Sequence, residues 1–597
     1  MSKKNVAINY TSRDFESIRR DLEEFAKRYY PNTYKDFNRA SFGSLMLDTV
    51  SYVGDILSFY LDYQMNETFL DSAVEYRNVV KLARQLGYKL QTSPSSYGKM
   101  TFFIEVPADS TGLGPDSALI PVLQAGSTFT STGGGVYSLL EDVDFDKEGN
   151  QVVVGSADST TGAPLTYVIR AMGTAVSGRS GTESFTIGSF ERFRKVPLGV
   201  TNVSNIISVT DSEGNEYFEV DHLSQNIIYK AIRNTTTTRT TVPNLLKATP
   251  VARRFVVETV DNQTFIQFGY GSDSNELTNP VVDPTEVVLD LNGRTYTTDA
   301  DFDPTKLIDT DKFGIGPSNT TLNIQYRFNT TSDVNAAVDT ITGVASANFK
   351  FGNQGALSLG NRNSVINSLE ATNEEQFVGS VSLPSSEEIR QRAFSYFATQ
   401  NRAVTAQDYQ AICYGMPAKF GMIKRVAVLK DPDEFKRNVN IYVMSENSAG
   451  KLVAANTTLK NNLKNWITQY KMISDTVDIL DAEIVNFDIS YEILTDINAN
   501  RFDVISNCNQ KLANKFAMKQ DIGEPIRITD VYRELQKVNG VVDVTSVDVG
   551  LKSGGIYSES NYDFDAALSS DGRMIEAQPN VIFELKYPNV DIKGSIR

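Results

Sequence analysis

The helical repeat of the first 92 residues constrains the fold of this 597-residue chain most. Ile18, Leu22, Phe25 and Tyr29 recur at spacings that place them on one face of a helix. Thr11 and Ser12 can cap that helix, Asp14 and Glu16 sit near its positive dipole end, and Pro31 ends it. A second helix is expected from about Ser44 to Leu70, with Leu45, Met46, Val50, Val53, Leu57, Tyr60 and Leu61 on its apolar face. That face holds more aromatic and methionine surface than a helix hairpin can bury within itself. Phe25, Tyr29, Leu45, Val53, Leu57 and Tyr60 are therefore candidate partner-interface residues, the alternative being that the same domain covers them. A third helix from about Ala73 stops at Gly87, a natural left-handed terminus.

Residues 93–350 change character. Met100, Phe102, Ile104 and Val106 alternate, as do Leu322, Ile324, Tyr326 and Phe328, a period of two that predicts strands with one buried face. Gly133-Gly134-Gly135 and Glu213-Gly214-Asn215 read as turns, and Thr235 to Thr238 as a loop or exposed strand. The expectation is an antiparallel β domain with an inserted piece.

Residues 351–383, rich in Asn, Ser and Gly, read as a linker, and two α+β domains follow at 384–480 and 481–597. Expected helices are Glu387–Thr399, Ala406–Tyr414, Thr457–Tyr470, Phe502–Phe516 and Thr529–Val538. Expected strands are Met422–Leu429, Val439–Met444, Glu483–Leu494 and Val541–Val549. Segments 387–429 and 502–549 share an order of helix, short Thr/Asp-capped helix, Gly and strand. A duplication would make them superimposable. The fold class is multidomain α+β: a helical N-terminal domain, a central antiparallel β-rich region, and C-terminal α+β domains.

Several functions are disfavoured by composition. Lys plus Arg total 57 against 73 for Asp plus Glu, and no basic tract is present, so nucleic-acid binding is not expected. The N-terminus lacks the apolar core of a signal peptide, and no run of about 18 apolar residues exists to span a membrane. Cys413 and Cys508 are too few for a disulfide framework and read as buried free thiols in a reducing compartment.

The residues also offer little chemistry. His222 is the one histidine, so a Ser-His-Asp or Cys-His arrangement must use it, and its context reads as a surface turn. Asp142, Asp144 and Asp146 are spaced as in a calcium loop, but Lys147 stands where that loop needs Gly and Val153 where it needs Glu. Phe265–Ser272 has glycines spaced as in a phosphate loop but lacks the lysine. Asp48, Asp55 and Asp62 share a helix face, where Arg77, Lys81 and Arg84 of the next helix can pair with them. No catalytic, cofactor or metal residue is assigned. Paired carboxylates for glycoside hydrolysis remain open, since spacing in space is invisible here.

Four stretches together resemble the baseplate J-like family, the wedge proteins of contractile-tailed phages. The first is Ser41-Phe-Gly-Ser-Leu-Met-Leu-Asp48, leading to Tyr60-Leu-Asp-Tyr-Gln-Met-Asn-Glu67 and Leu82-Ala-Arg-Gln-Leu-Gly-Tyr88. The second centres on Phe268, Gly269 and Gly271, with Tyr270 where the family often has Asp. Phe313-Gly-Ile-Gly-Pro317 with Leu322–Arg327 is the third. The fourth runs from Arg402 through Thr405, Asp408 and Tyr409 to Val426-Ala-Val-Leu429, continued by Gly523-Glu-Pro-Ile526 and Gly540-Val-Val-Asp543. The tail after Gly550 matches no motif.

The resemblance implies a structural subunit, not an enzyme, that needs no cofactor. Such proteins dimerise within a wedge, and six wedges close into a ring around the tail hub. Their N-terminal helices bundle with other wedge proteins. When the ring changes diameter, the sheath contracts. The implied place is the virion tail baseplate, assembled in the host cytoplasm, without nucleic acid or membrane as partner. The alternatives are a β-rich tail-fibre adhesin and a tail-borne polysaccharide hydrolase; Trp466 is the one tryptophan for sugar stacking.

Overall fold

The structure, a computed structural model, describes residues 13–32, 38, 41–90, 94–110, 112–233, 244–260, 263–271, 313–331, 333–352, 358–431 and 438–597. The multidomain α+β class expected from sequence is what it shows: helices first, a β-rich centre, α+β elements last. Thr11, Ser12 and the Thr235–Thr238 run lie outside the described residues.

Contacts divide the chain into two compact units, one of residues 1–90 with 384–401, the other of 91–383 with 402–597. In the first unit, helix Phe15–Tyr29 is capped by Asp14, whose carboxylate accepts from the Ser17 N–H, and carries Lys27 and Arg28 in its last turn. Helix Phe42–Asn66 is capped by Ser41. The two meet where Gly54 faces Ile18: an added Cβ would stand 3.2 Å from Ile18 Cδ1. The third helix, Tyr76–Gln85, ends before Gly87 at φ +91°. It buries Val79 and Ala83 against Ile389 and Ala393 of helix Ser386–Thr399.

That last helix returns the chain to the N-terminal unit, where the sequence reading had begun a new domain. Arg390 fixes it, its guanidinium donating to the carbonyls of Leu70 (2.8 Å) and Ala73. Its position also ends the duplication idea. Helix Arg501–Ala517, its supposed counterpart, buries Val504, Cys508 and Leu512 in a core of the second unit. Helix Ile528–Gln536 has no side-chain cap, whereas Ala406–Tyr414 has a full capping box. Order in sequence was shared, but topology is not.

The second unit begins with two seven-stranded sheets. In the first, strand Tyr97–Pro107 pairs antiparallel with Pro164–Ser177 over its whole length, and Met100, Phe102, Ile104 and Val106 are fully buried. In the second, Thr320–Phe328 lies between Arg179–Ile187 and Val203–Thr210, and Leu322, Ile324 and Tyr326 point into its core. Both alternations expected from sequence are thus seen, and the pairing is antiparallel except between Glu216–Glu219 and Arg254–Val260.

Residues 351–383 do not behave as a linker. They hold helix Leu359–Asn367 and strand Glu370–Thr372, and they bury Phe377 and Val378. Asn373, fully buried, explains why an Asn-rich stretch can be ordered. Its Oδ1 accepts from the Thr340 and Ile341 N–H groups (3.0 and 2.9 Å), and its Nδ2 donates to the Ala337 and Glu375 carbonyls (2.7 and 2.9 Å).

Two smaller sheets close the unit. Strand Asn438–Glu446 pairs antiparallel with Arg425–Lys430 and parallel with Thr476–Asp481 across helix Thr457–Thr468. Strand Glu483–Thr495 pairs antiparallel with Val541–Lys552 on one edge. Its other edge takes both tail strands, Val581–Glu584 and Ile592–Ile596, in parallel. The motif-free tail therefore completes a sheet.

Candidate functional site: an uncovered helical face

Helix Phe42–Asn66 spans 25 residues and buries only Ser44 and Ser51. Its neighbour Phe15–Tyr29 buries none. Each of the six candidate interface residues stands at least about half exposed, from Val53 at 49% to Tyr60 at 62%. The exposed set is wider than sequence periodicity picked out. Phe42 at 77% and Phe59 at 66% exceed all six, and Tyr52, Met65 and Phe69 join them. The missed signal was present: a helix apolar around most of its circumference is a helix meant to be covered. Phe25 packs tilted against Tyr29 at 4.7 Å, and Phe59 stacks on Tyr63 at 6.3 Å, so the exposed rings form clusters.

Charge holds the two helices together at one side. Arg19 Nε lies 2.5 Å from Asp48, and Arg13 lies 2.8 Å from Asp62. Asp48 therefore draws its partner from the helix before it and Asp62 from the residue just ahead of that helix's cap, not from the third helix as the spacing suggested. At the far end, buried Glu67 accepts from the Val74 N–H and from Asn78 Nδ2, both at 2.8 Å. The Asn78 hydrogen bond, followed by that from Val74, holds this carboxyl below its ordinary range.

The motif residues have structural work. Phe268 is fully buried, edge-on to Tyr217 at 5.4 Å. A Cβ on Gly269 would stand 2.1 Å from the Phe313 carbonyl oxygen, so only glycine lets the two motif turns meet. Gly271 donates to the Gly314 carbonyl (2.9 Å) and accepts from Gly316 (2.8 Å). Thr405 and Asp408 form the capping box of helix Ala406–Tyr414, and Tyr409 donates to Asp475 at 2.8 Å. Arg402 is exposed beside them.

Elsewhere the chemistry stays bland. His222 sits in an exposed turn with Nδ1 2.8 Å from Ser224 Oγ. Asp142 accepts from the Ala125 N–H and Asp144 from the Asp146 N–H, as turn residues do. Both cysteines are buried and free, and burial pushes their thiols up, Cys508 to about 11. Among the described residues no cluster of His, Cys, Asp or Glu is arranged to hold a metal, and no helix is long and apolar enough to cross a membrane.

The chain is thus a multidomain α+β protein whose first unit carries a large uncovered helical face. Residues 14–85, which include that face, match the family described as bacteriophage baseplate protein, N-terminal domain. This match supports a structural role in a phage tail baseplate. No curated protein matches the chain. A chain in the six-fold symmetrised cryo-EM structure of the anti-feeding prophage baseplate aligns over 97% of this chain and 99% of its own, at 10% identity and a TM-score of 0.25. At that score the alignment carries no argument about shape or role.

Proposed function

We propose that this chain is a baseplate wedge subunit of a contractile phage tail. In this reading it dimerises, connects wedges into a ring around the tail hub, and transmits the change that releases the sheath. The uncovered face of helix Phe42–Asn66 carries the proposal, because it lies within the segment that matches a baseplate domain. Its natural cover is one or more helices of neighbouring wedge proteins, laid against Leu45, Val53, Leu57 and Tyr60 with Phe25 and Tyr29 at the side. Covering the exposed half of each such side chain contributes roughly 1 kcal/mol before the cost of association is subtracted. The motif residues Phe268, Gly269, Gly271, Arg402, Thr405, Asp408 and Tyr409 serve the turns and the helix cap of the second unit, and the role is not catalytic.

The test is Leu57→Asp in the full chain. The variant should keep the sheets of the second unit and lose assembly with tail proteins. Normal tail assembly by the variant overturns the proposal. So does a stable trimer of the purified chain by light scattering, which points instead to a fibre or adhesin.

A further inference from the structure

Strand Gln151–Ala157 lies at the edge of the first seven-stranded sheet, paired on one side with Pro164–Ser177. Among the described residues nothing pairs with its other side. All seven of its residues are exposed, including Val152, Val153 and Val154 at 46%, 59% and 52%. Val152 and Val154 stand opposite Ile169 and Tyr167, Val153 opposite Val168, so both faces of the strand are apolar. A run of valines on both faces is the composition of a strand covered on both faces. Soluble proteins normally blunt a free edge with lysine, proline or a covering loop, and this one carries none of these within the strand.

We propose that this edge is a docking site for an extended segment of a partner protein, apolar at alternate positions and flanked by lysine or arginine. The segment adds to the sheet beside Gln151–Val154 through main-chain hydrogen bonds, since every second residue of an edge strand directs its N–H and C=O outward. A register shift at Gly155 ends the usable edge, because the bulge turns the strand away from straight pairing.

Charge selects the class of partner. Glu141, Asp142, Asp144, Asp146 and Glu148 precede the strand against the single Lys147, and Asp158 follows it. A second copy of this chain paired antiparallel about Val153 would set Glu148 beside Asp158 of its partner. A parallel copy would align the two acidic runs. Either arrangement costs repulsion, whereas a basic-flanked strand gains attraction at both ends.

The experiment uses the full chain and a labelled peptide of about ten residues, alternating Val and Thr between Lys pairs, the length of one strand with its flanks. Expected results are saturable binding, slowed hydrogen exchange confined to residues around 151–154, and weakening with salt. Val153→Lys, with circular dichroism and melting unchanged, should weaken binding about ten-fold or more, as edge lysines block pairing. The same peptide with alternate backbone amides N-methylated should also fail, and that arm leaves the protein unaltered. Absence of binding, equal binding of the N-methylated peptide, or equal binding of a Glu-flanked peptide overturns the proposal. Self-association of the chain that Val153→Lys abolishes overturns it too, in favour of a second copy.

Discussion

The Lys424 ammonium lies 3.2 Å from the Glu446 carboxylate, and the two side chains are only 10% and 4% exposed. Glu446 also accepts from the Ser382 N–H at 2.7 Å, and its own carbonyl accepts from Asn335 Nδ2 at 2.9 Å. A second buried pair, Lys519 with Glu584, sits close by, and Glu584 accepts from the Leu452 N–H at 3.0 Å. Arg425 donates to the carbonyls of Gln520 and Lys519 (3.1 and 2.5 Å). The Glu584 and Arg425 contacts join the two C-terminal sheets of the second unit, around a small apolar cluster of Met444, Leu452 and Ile582, whereas the Lys424–Glu446 pair anchors the first of those sheets to the Ser382 and Asn335 segments.

Breaking one half of the first pair should be costly. Lys424→Met leaves Glu446 charged and buried, for an expected loss of about 3–5 kcal/mol by urea unfolding. Lys424→Met with Glu446→Leu should recover much of it, short of about 1–3 kcal/mol for the orphaned Ser382 N–H. A double variant no more stable than the single one would refute this account of the pair.

Gly269→Ala forces a methyl group to within 2.1 Å of one backbone carbonyl and 2.2 Å of the next, those of Phe313 and Gly314. Neither can retreat without moving the motif turn. The expected loss is about 3 kcal/mol or more, with the midpoint of thermal unfolding as readout. A variant that melts with the parent would show that the turns do not meet this closely.

Stability of the first unit should fall in acid. Glu67 has a depressed pKa in the folded state, so its contribution is present above the ordinary value of 4.5 and is lost as pH falls through the lower folded value. Glu67→Gln removes the charge, so the melting-temperature gap between variant and parent should be open near neutral pH and close in acid. A gap that is the same at both pH values would exclude the carboxylate as its source.

The thiols should be silent until the chain unfolds. Cys413 and Cys508 are 2% and 0% exposed, and their thiols are held protonated by burial. A thiol reagent at mildly alkaline pH should modify neither in the native chain and both in denaturant. Rapid native labelling of either would mean that its helix opens easily.

Local physics was legible in the sequence. The alternation from Met100 to Val106, the helix Ala406–Tyr414 with its Thr405–Asp408 box, and the apolar second helix each follow from spacing within one element. That the second helix is apolar on a broad face was legible for the same reason, although Phe42 and Phe59 were passed over; that the face stays exposed was not. What needed tertiary structure was every choice between distant partners. Spacing put Asp48 and Asp62 on one face, but only the approach of Ile18 to Gly54 decided that Arg19 and Arg13 would meet them. Composition made 351–383 look like a linker, and Asn373 found all four of its partners only once remote strands had converged. Nothing local marked Ser386–Thr399 as part of the N-terminal unit or Gln151–Ala157 as an open edge. The sequence by itself determined which elements form and which faces are apolar, because those depend on neighbours a few residues away. Tertiary structure alone decided which faces are covered, because burial depends on chain segments that come together only after loop-closure entropy has been overcome.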